Sequence, residues 1–525
     1  MEKYRIKGIF RARFAIVSAI FILLLNSVFA CDLTILHSND IHGRIDAIDY
    51  YKDQKTLGGW ARRIGLIKEI KKNTPNTLVL DAGDIYQGSI YYQLFDGMPE
   101  MSFLTEAGYD AVCVGNHELD KGLACFENLL KMTDVPFLSA NIEFNNNFFL
   151  NGKVKSYIIK DFEGYRVAVI GMTTPELKSL TVASDDINQP DYDKTLQFLV
   201  DYLRKEADLV VLLSHSGVDK DIETVKKIKG IDVIVGGHSH TFMEKAYQIN
   251  QNGRKTIVVQ AGEFGIKLGR LDVDFDKNGI NHYNYKLLPL DETVPKDKKV
   301  LKKTAELNQD VDKIKTEKLG ITTVPLDCQR ALMGKNLTNA GELVCTAIKK
   351  NIPDVDAVLI NSGTIRGNKI ISKGKLTKMD ILEMLPFANK LVIADIKGKD
   401  LKSILETSAR YAPKSSEAFL QTKGISYTIA LKGEPQILSE DLEKVTKEGN
   451  RIKNVKINGR ELDEDASYKI LTTDFIFSGG DGYSQFKRTP DFSKTDFSVT
   501  NLVIDYIKQE KKIHPKVEDK VIWEE

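Results

Sequence analysis

From Leu33 to Phe275 the chain alternates short aliphatic runs with longer stretches in which apolar positions recur every three or four residues. The runs begin at Leu33-Thr-Ile-Leu-His37, Thr77-Leu-Val-Leu-Asp81 and Asp110-Ala-Val-Cys-Val114. They continue at Arg166 to Ile170, Asp208 to Leu213, Ile231 to Val235 and Thr256 to Gln260. Runs this short and this rich in Val, Ile and Leu predict strands buried on both faces. Between them, Trp60 to Lys72 and Thr195 to Glu206 carry helical spacing. The pattern predicts an α/β unit with strands packed between helices.

A charged stretch, roughly Pro295 to Lys318, interrupts the pattern and predicts a solvated helix. Beyond it the alternation resumes, with helices over Ala340 to Lys350, Lys399 to Ala409 and Thr500 to Glu510. Strands are predicted over Ala357 to Ile360 and Leu391 to Ile396. The first residues differ from all of this. Lys3, Arg5, Lys7, Arg11 and Arg13 precede an uncharged apolar run from Phe14 to Leu25, which is short for a membrane span. The resulting division is a signal over 1–30, a first unit over 31–294, a linker helix over 295–321 and a second unit over 322–525.

Val28-Phe-Ala-Cys31 suits ordinary cleavage, and it also resembles a lipobox in which Cys31 would carry a lipid. Either route predicts an exported protein, periplasmic or at the cell surface, touching membrane only through an anchor at Cys31. Length permits two cores, and a composition of 42% hydrophobic and 28% charged residues is that of an ordinary globular chain. Seventy-four basic against 73 acidic residues leave a net charge of +1, which argues against a nucleic-acid polymer as partner. Cys113, Cys125, Cys328 and Cys345 form no CxxC pair, so a zinc–thiolate site is not expected. Disulfides and buried free thiols both remain open, as does the oligomeric state.

The histidines carry the chemical signal. Of eight, six fall at or just beyond the carboxyl end of a predicted strand, accompanied by Asp and Asn. The segments are Asp40-Ile-His42, Gly83-Asp84, Gly115-Asn-His-Glu-Leu-Asp120, Ser214-His215 and Gly236-Gly-His-Ser-His240. Strand carboxyl ends of an open α/β sheet meet in one crevice, so these six histidines are expected to converge. Carboxylate, imidazole and amide oxygen without thiolate suit Mn²⁺, Zn²⁺, Fe²⁺, Co²⁺ or Ni²⁺. So many ligands exceed the need of one ion and fit two, roughly 3.5–4 Å apart, that activate a water for in-line displacement.

In this order and spacing the motifs resemble those of calcineurin-like metallophosphoesterases. Asn39-Asp-Ile-His-Gly43 and Asn116-His-Glu-Leu-Asp120 are similar to the 5′-nucleotidase branch, bacterial and ecto-enzymes alike. The resemblance implies a four-layer α/β/β/α catalytic domain followed by a smaller α/β nucleoside-binding domain that rotates about the linker. It implies two divalent metal ions: the first held by Asp40, His42, Asp84 and His240, the second by Asp84, Asn116, His215 and His238. His117 is implied to act on the substrate phosphate or leaving oxygen, with Asp120 orienting its ring.

Thr338 to Leu343, Asn361 to Arg366, Leu385 to Asn389 and Asp474 to Tyr483 are similar to the C-terminal domain of the same family. By that resemblance Phe387 and Phe475 sandwich a base, Asp481 binds ribose, and Arg330 and Arg366 contact phosphate. Asn339, Asn361 and Asn389 line the pocket. Two departures stand out. Gly334 replaces a second arginine, and Thr364 replaces a glycine where a side chain could crowd the substrate. The implied activity is hydrolysis of a small-molecule 5′-nucleotide to nucleoside and phosphate. The alternatives are hydrolysis of a UDP-sugar or a 2′,3′-cyclic nucleotide, or nucleoside binding without catalysis.

Overall fold

The computed structural model describes residues 31–49, 56–251, 253–387, 389–439 and 441–525. The expected signal over 1–30 and the fate of the Cys31 side chain lie outside the described residues. Among the described residues no helix is long and apolar enough to cross a membrane.

Two six-stranded sheets form the first unit. In spatial order the first runs Gly279–Pro289, Lys267–Asp276, Cys31–Ser38, Thr77–Asp81, Ala111–Cys113 and Phe137–Leu138. The second runs Tyr247–Gln251, Arg254–Gln260, Val233–Gly236, Leu209–His215, Tyr165–Thr173 and Tyr157–Phe162. The central strands of each are parallel, so their carboxyl ends share one edge.

The sheets pack face to face. Leu33, Ile35, Leu78 and Leu80 of one meet Val169, Val211, Val235 and Val259 of the other in a single buried cluster. Each strand alternates, so the opposite faces need helical cover. Leu36, Val79 and Val112 are covered by Ile64 and Ile67 of helix Trp60–Asn73, with Phe103 and Phe126. Ile170, Leu212 and Ile234 are covered by Leu196, Val200 and Leu203. The result is the four-layer α/β/β/α arrangement. The covering helix spans Tyr192–Leu203 rather than starting at Thr195, because the Asp191 carboxylate caps it by accepting from Lys194 N.

Helix Lys298–Thr316 follows, capped by Asp297, burying Val300 and Val311 and leaving most charges in water. A five-stranded sheet then runs Leu420–Lys423, Ala357–Asn361, Ser467–Thr473, Lys390–Lys397 and Phe492–Ser498. One face packs Val358, Ile360 and Leu471 against Leu343, Val344 and Val503. The other packs Leu359, Val392 and Ile470 against Leu401, Ile404 and Leu405. The two regions touch: Gln93 Nε2 donates to the Leu382 carbonyl at 2.7 Å. Cys113, Cys125, Cys328 and Cys345 are all free thiols.

Candidate active site

Each motif residue leaves the end of a parallel strand. Asp40 and His42 follow Cys31–Ser38, Asp84 follows Thr77–Asp81, and Asn116 and His117 follow Ala111–Cys113. His215 ends its strand, and His238 and His240 follow Val233–Gly236. Five of these residues adopt left-handed backbone: Asp40 (φ 49°), His42 (51°), Asp84 (56°), His238 (74°) and His240 (55°). Such conformations cost energy for non-glycine residues and persist where the surroundings hold them for a purpose.

The side chains converge. Asp40, His42 and His240 offer ligand atoms within 4.8 Å of one another, as do Asp84, His215 and His238. His42 Nε2 and His240 Nε2 face each other at 3.0 Å. His215 Nε2 lies 3.2 Å from both Asn116 Oδ1 and Asp84 Oδ2. The far ring nitrogens are engaged: His240 Nδ1 with Glu263 Oε2 at 2.7 Å and His215 Nδ1 with the Ala82 carbonyl at 2.7 Å. Partners of this kind fix the tautomer and turn Nε2 inward, the usual support of a ligating imidazole.

Electrostatics point the same way. Burial alone would lower every imidazole here, and it does hold His42 well below its ordinary range and His238 at about 4. Against that same burial penalty, Asp84 raises His215 and Asp40 raises His240, each to about 10. The carboxylates thus create two buried places that favour positive charge. The donor set, the second partners and this potential fit divalent cations.

A third triad, His42, Asp84 and His117, also lies within 4.8 Å. His117 differs from the others in its partner and its surroundings. Its Nδ1 is 2.7 Å from Asp120 Oδ2, Nε2 is 4.0 Å from Asp84 Oδ2, and its ring centre is 6.3 Å from that of Phe387. It lines a cavity of about 540 Å³ that also takes in Arg330, Asn361, Thr364, Arg366, Phe387, Asn389, Phe475 and Asp481.

One cavity thus brings Asp84, Asn116, His117, His238 and His240 together with Phe387, Phe475, Asn361 and Asp481, Phe387 standing beside His117. Asn361 Nδ2 donates to Asp481 Oδ2 at 2.7 Å, and Thr364 Oγ1 donates to Asn361 Oδ1 at 2.6 Å. Thr364 braces the pocket with its hydroxyl. The turn Gly479-Gly-Asp-Gly482 is shaped by Phe475, since a Cβ on Gly480 would meet that ring at 2.6 Å.

Two expectations are corrected. Five histidines converge, not six: His37 lies on the same strand face as Ile35, between the sheets, stacked on Tyr285 at 5.9 Å. Its pKa falls to about 3 through burial. Asn339 is not brought into the cavity, because its amide donates to the Pro325 carbonyl at 2.6 Å and accepts from Asp327 N at 2.9 Å.

Sequence reasoning assigned no role to three acidic residues of the site. Glu263 holds His240. Glu118 accepts from Asp84 N at 3.0 Å, Ile85 N at 2.9 Å and Gly115 N at 2.6 Å, tying two ligand-bearing loops together. Its place inside the Asn116–Asp120 motif was the one available clue. Glu417 lines the cavity beside Arg330 and Arg366.

Residues 33–242 match the family model for calcineurin-like phosphoesterases, and residues 318–488 match that for the 5′-nucleotidase C-terminal domain. The 5′-nucleotidase of Bos taurus is 31% identical, the match covering 93% of this chain and 90% of that one. The trifunctional nucleotide phosphoesterase protein YfkN of Bacillus subtilis is also 31% identical over 93% of this chain, which spans only 35% of that longer protein. Among solved structures, a 5′-nucleotidase precursor from Thermus thermophilus superposes with a TM-score of 0.79 at 28% identity, covering 94% of this chain and 99% of that one.

Proposed function

The chain belongs to the 5′-nucleotidase family, and from that premise we propose that it hydrolyses 5′-nucleotides to nucleoside and phosphate in a metal-dependent reaction. The observation that carries the reading is a single cavity that takes in residues of the ligand triads, with His117, together with the aromatic and carboxylate set Phe387, Phe475 and Asp481.

Asp40, His42, Asp84 and His240 would hold one divalent cation, and Asp84, Asn116, His215 and His238 a second. Cations so placed supply charge neutralisation at phosphoryl oxygen and activation of water. The chain's own residues do the rest. Phe387 and Phe475 stack on the base, and Asp481, steadied by Asn361, accepts from ribose hydroxyls. Arg330 and Arg366 meet phosphoryl oxygens. As water oxygen bonds to phosphorus and the P–O5′ bond breaks, His117 Nε2 gives a proton to the leaving oxygen. Asp120 keeps that proton on the ring and the ring in place. Helix Lys298–Thr316, between the two cores, is the pivot for any rotation of the second domain.

The signal-like pattern of residues 1–30 supports a reaction outside the cytoplasm. The test is phosphate release from AMP with Mn²⁺ or Zn²⁺, with and without chelator, in the full chain and in His117→Ala. Activity lost on chelation and in the variant supports the reading; activity surviving both ends it. UDP-glucose and 2′,3′-cyclic AMP in the same assay rank the substrates.

A further inference from the structure

Two buried polar groups of the cavity wall make no hydrogen bond among the described residues. They are the Gln87 amide nitrogen and the Tyr92 hydroxyl, on side chains that both line the cavity and belong to residues only 3% exposed. A buried donor left without a partner is destabilising, and native folds keep few of them. Two in the wall of one cavity point to a partner that arrives with the ligand.

Both residues are held in place. Tyr92 belongs to helix Ile90–Phe95, where Ser89 Oγ accepts from its backbone N at 3.3 Å. Its ring stacks on that of Tyr86 at 5.3 Å. Lys121 Nζ stands 4.3 Å from its ring centre and donates to its carbonyl at 3.3 Å, while also pairing with Asp96. Gln87 lies in the loop that leaves Asp84, in left-handed backbone (φ 81°) that a non-glycine residue adopts only under constraint. The next residue, Gly88, packs on His42, since a Cβ there would meet the His42 Cβ at 3.5 Å. The fold thus sets Gln87 next to the His42 contact and Tyr92 against the residue that follows Asp120.

This wall belongs to the domain that carries the metal-ligand triads and His117. The residues that take the nucleoside, Phe387, Phe475 and Asp481, all come from the other domain. What remains for the first domain to hold is the phosphoryl group. Burial, and next Asp120, keep the Tyr92 phenol well above its ordinary range, so its O–H is intact at neutral pH. An amide N–H and a phenol O–H are donors that meet an anionic oxygen without adding charge.

We propose that Gln87 and Tyr92 form an oxyanion subsite that donates hydrogen bonds to a non-bridging oxygen of the phosphoryl group. The identity of that oxygen rests on the hydrolase reading. No bond is made or broken by the pair, and no proton leaves it.

The experiment titrates the Mn²⁺-loaded full chain calorimetrically with inorganic phosphate and, separately, with adenosine. It compares wild type, Tyr92→Phe and Gln87→Met, with steady-state kinetics on AMP and a thermal melt beside each. Both substitutions keep the size of the side chain and delete the donor, so Tm should hold or rise. Phosphate affinity should fall roughly tenfold in each variant, the scale of one hydrogen bond to a charged oxygen. The kcat/KM for AMP should fall with it, while adenosine affinity stays as in wild type. Weaker phosphate binding at an undiminished Tm is a result that a purely structural role would not give. Unchanged phosphate affinity in either variant, or an equal loss for adenosine, would overturn the proposal. A wild type that hydrolyses no AMP, with phosphate affinity still lost in both variants, would refute the hydrolase reading and leave the oxyanion subsite standing.

Discussion

His117 Nδ1 and Asp120 Oδ2 lie 2.7 Å apart, a charge-assisted contact that leaves Nε2 as the ring's working nitrogen. Burial alone would lower the His117 pKa, yet Asp120 and then Asp84 outweigh it and hold the imidazole at about 9. The protonated ring, the form able to give a proton, is therefore present below that value and lost above it. Asp120→Asn removes the main charge that raises the pKa. The alkaline limb of the kcat–pH profile should move to lower pH in that variant, whereas His117→Ala should lower kcat by about 10²–10⁴ at every pH. Steady-state profiles with AMP check both.

Glu263 accepts from His240 Nδ1 and so decides which ring nitrogen faces His42 and Asp40. Glu263→Gln should weaken metal affinity by roughly 10–100-fold, with kcat recovered at saturating Mn²⁺. Titrating chelator-treated protein with metal and following phosphate release measures it. A kcat that stays low at saturation would assign Glu263 a different task.

Glu118 is buried and gathers three backbone N–H groups from the loops that carry Asp84 and Asn116. Glu118→Ala orphans all three donors at once. Each unsatisfied buried group costs about 1–3 kcal/mol, so a large fall in Tm should accompany loss of activity. Differential scanning calorimetry is the readout.

Asp481 is pushed up to about 6, chiefly by burial and next by Glu417, with Asn361 opposing. Its carboxylate is ionised above that value and protonated below it. Adenosine, which has no phosphate to titrate, should inhibit more weakly as pH falls through about 6. Asp481→Asn should weaken inhibition overall and flatten that dependence. Competitive inhibition constants measured from about pH 5 to about pH 8 test it.

Much of the first unit was legible because its signals are local. A run such as Leu33 to His37 names a buried strand, and the polar residues just past its end must emerge at the sheet edge. Even there the position of a residue along a strand did not give its direction. His37 carries the same strand-end signal as His215, but strand alternation turns it between the sheets. Asn339 sits in a motif that resembles a pocket, yet two nearby backbone groups take its amide. Thr364, a departure from the family's glycine, lines the cavity and also donates to Asn361, a partner its position in the sequence did not give.

What the sequence alone determined was the alternation of strands and helices and the ligand-type residues at strand ends. Both depend on spacings of a few residues. The pairing of His117 with Asp120 came from the resemblance of the Asn116–Asp120 motif. Only the tertiary structure decided which distant segments share the cavity. Phe387 reaches His117, Glu118 ties two loops, and Glu417 stands between Arg330 and Arg366. Such neighbours are set by how separate cores pack and by where each side chain points. An acidic residue in a loop such as Ser415 to Ala418 has no local pattern to separate it from an ordinary solvated one.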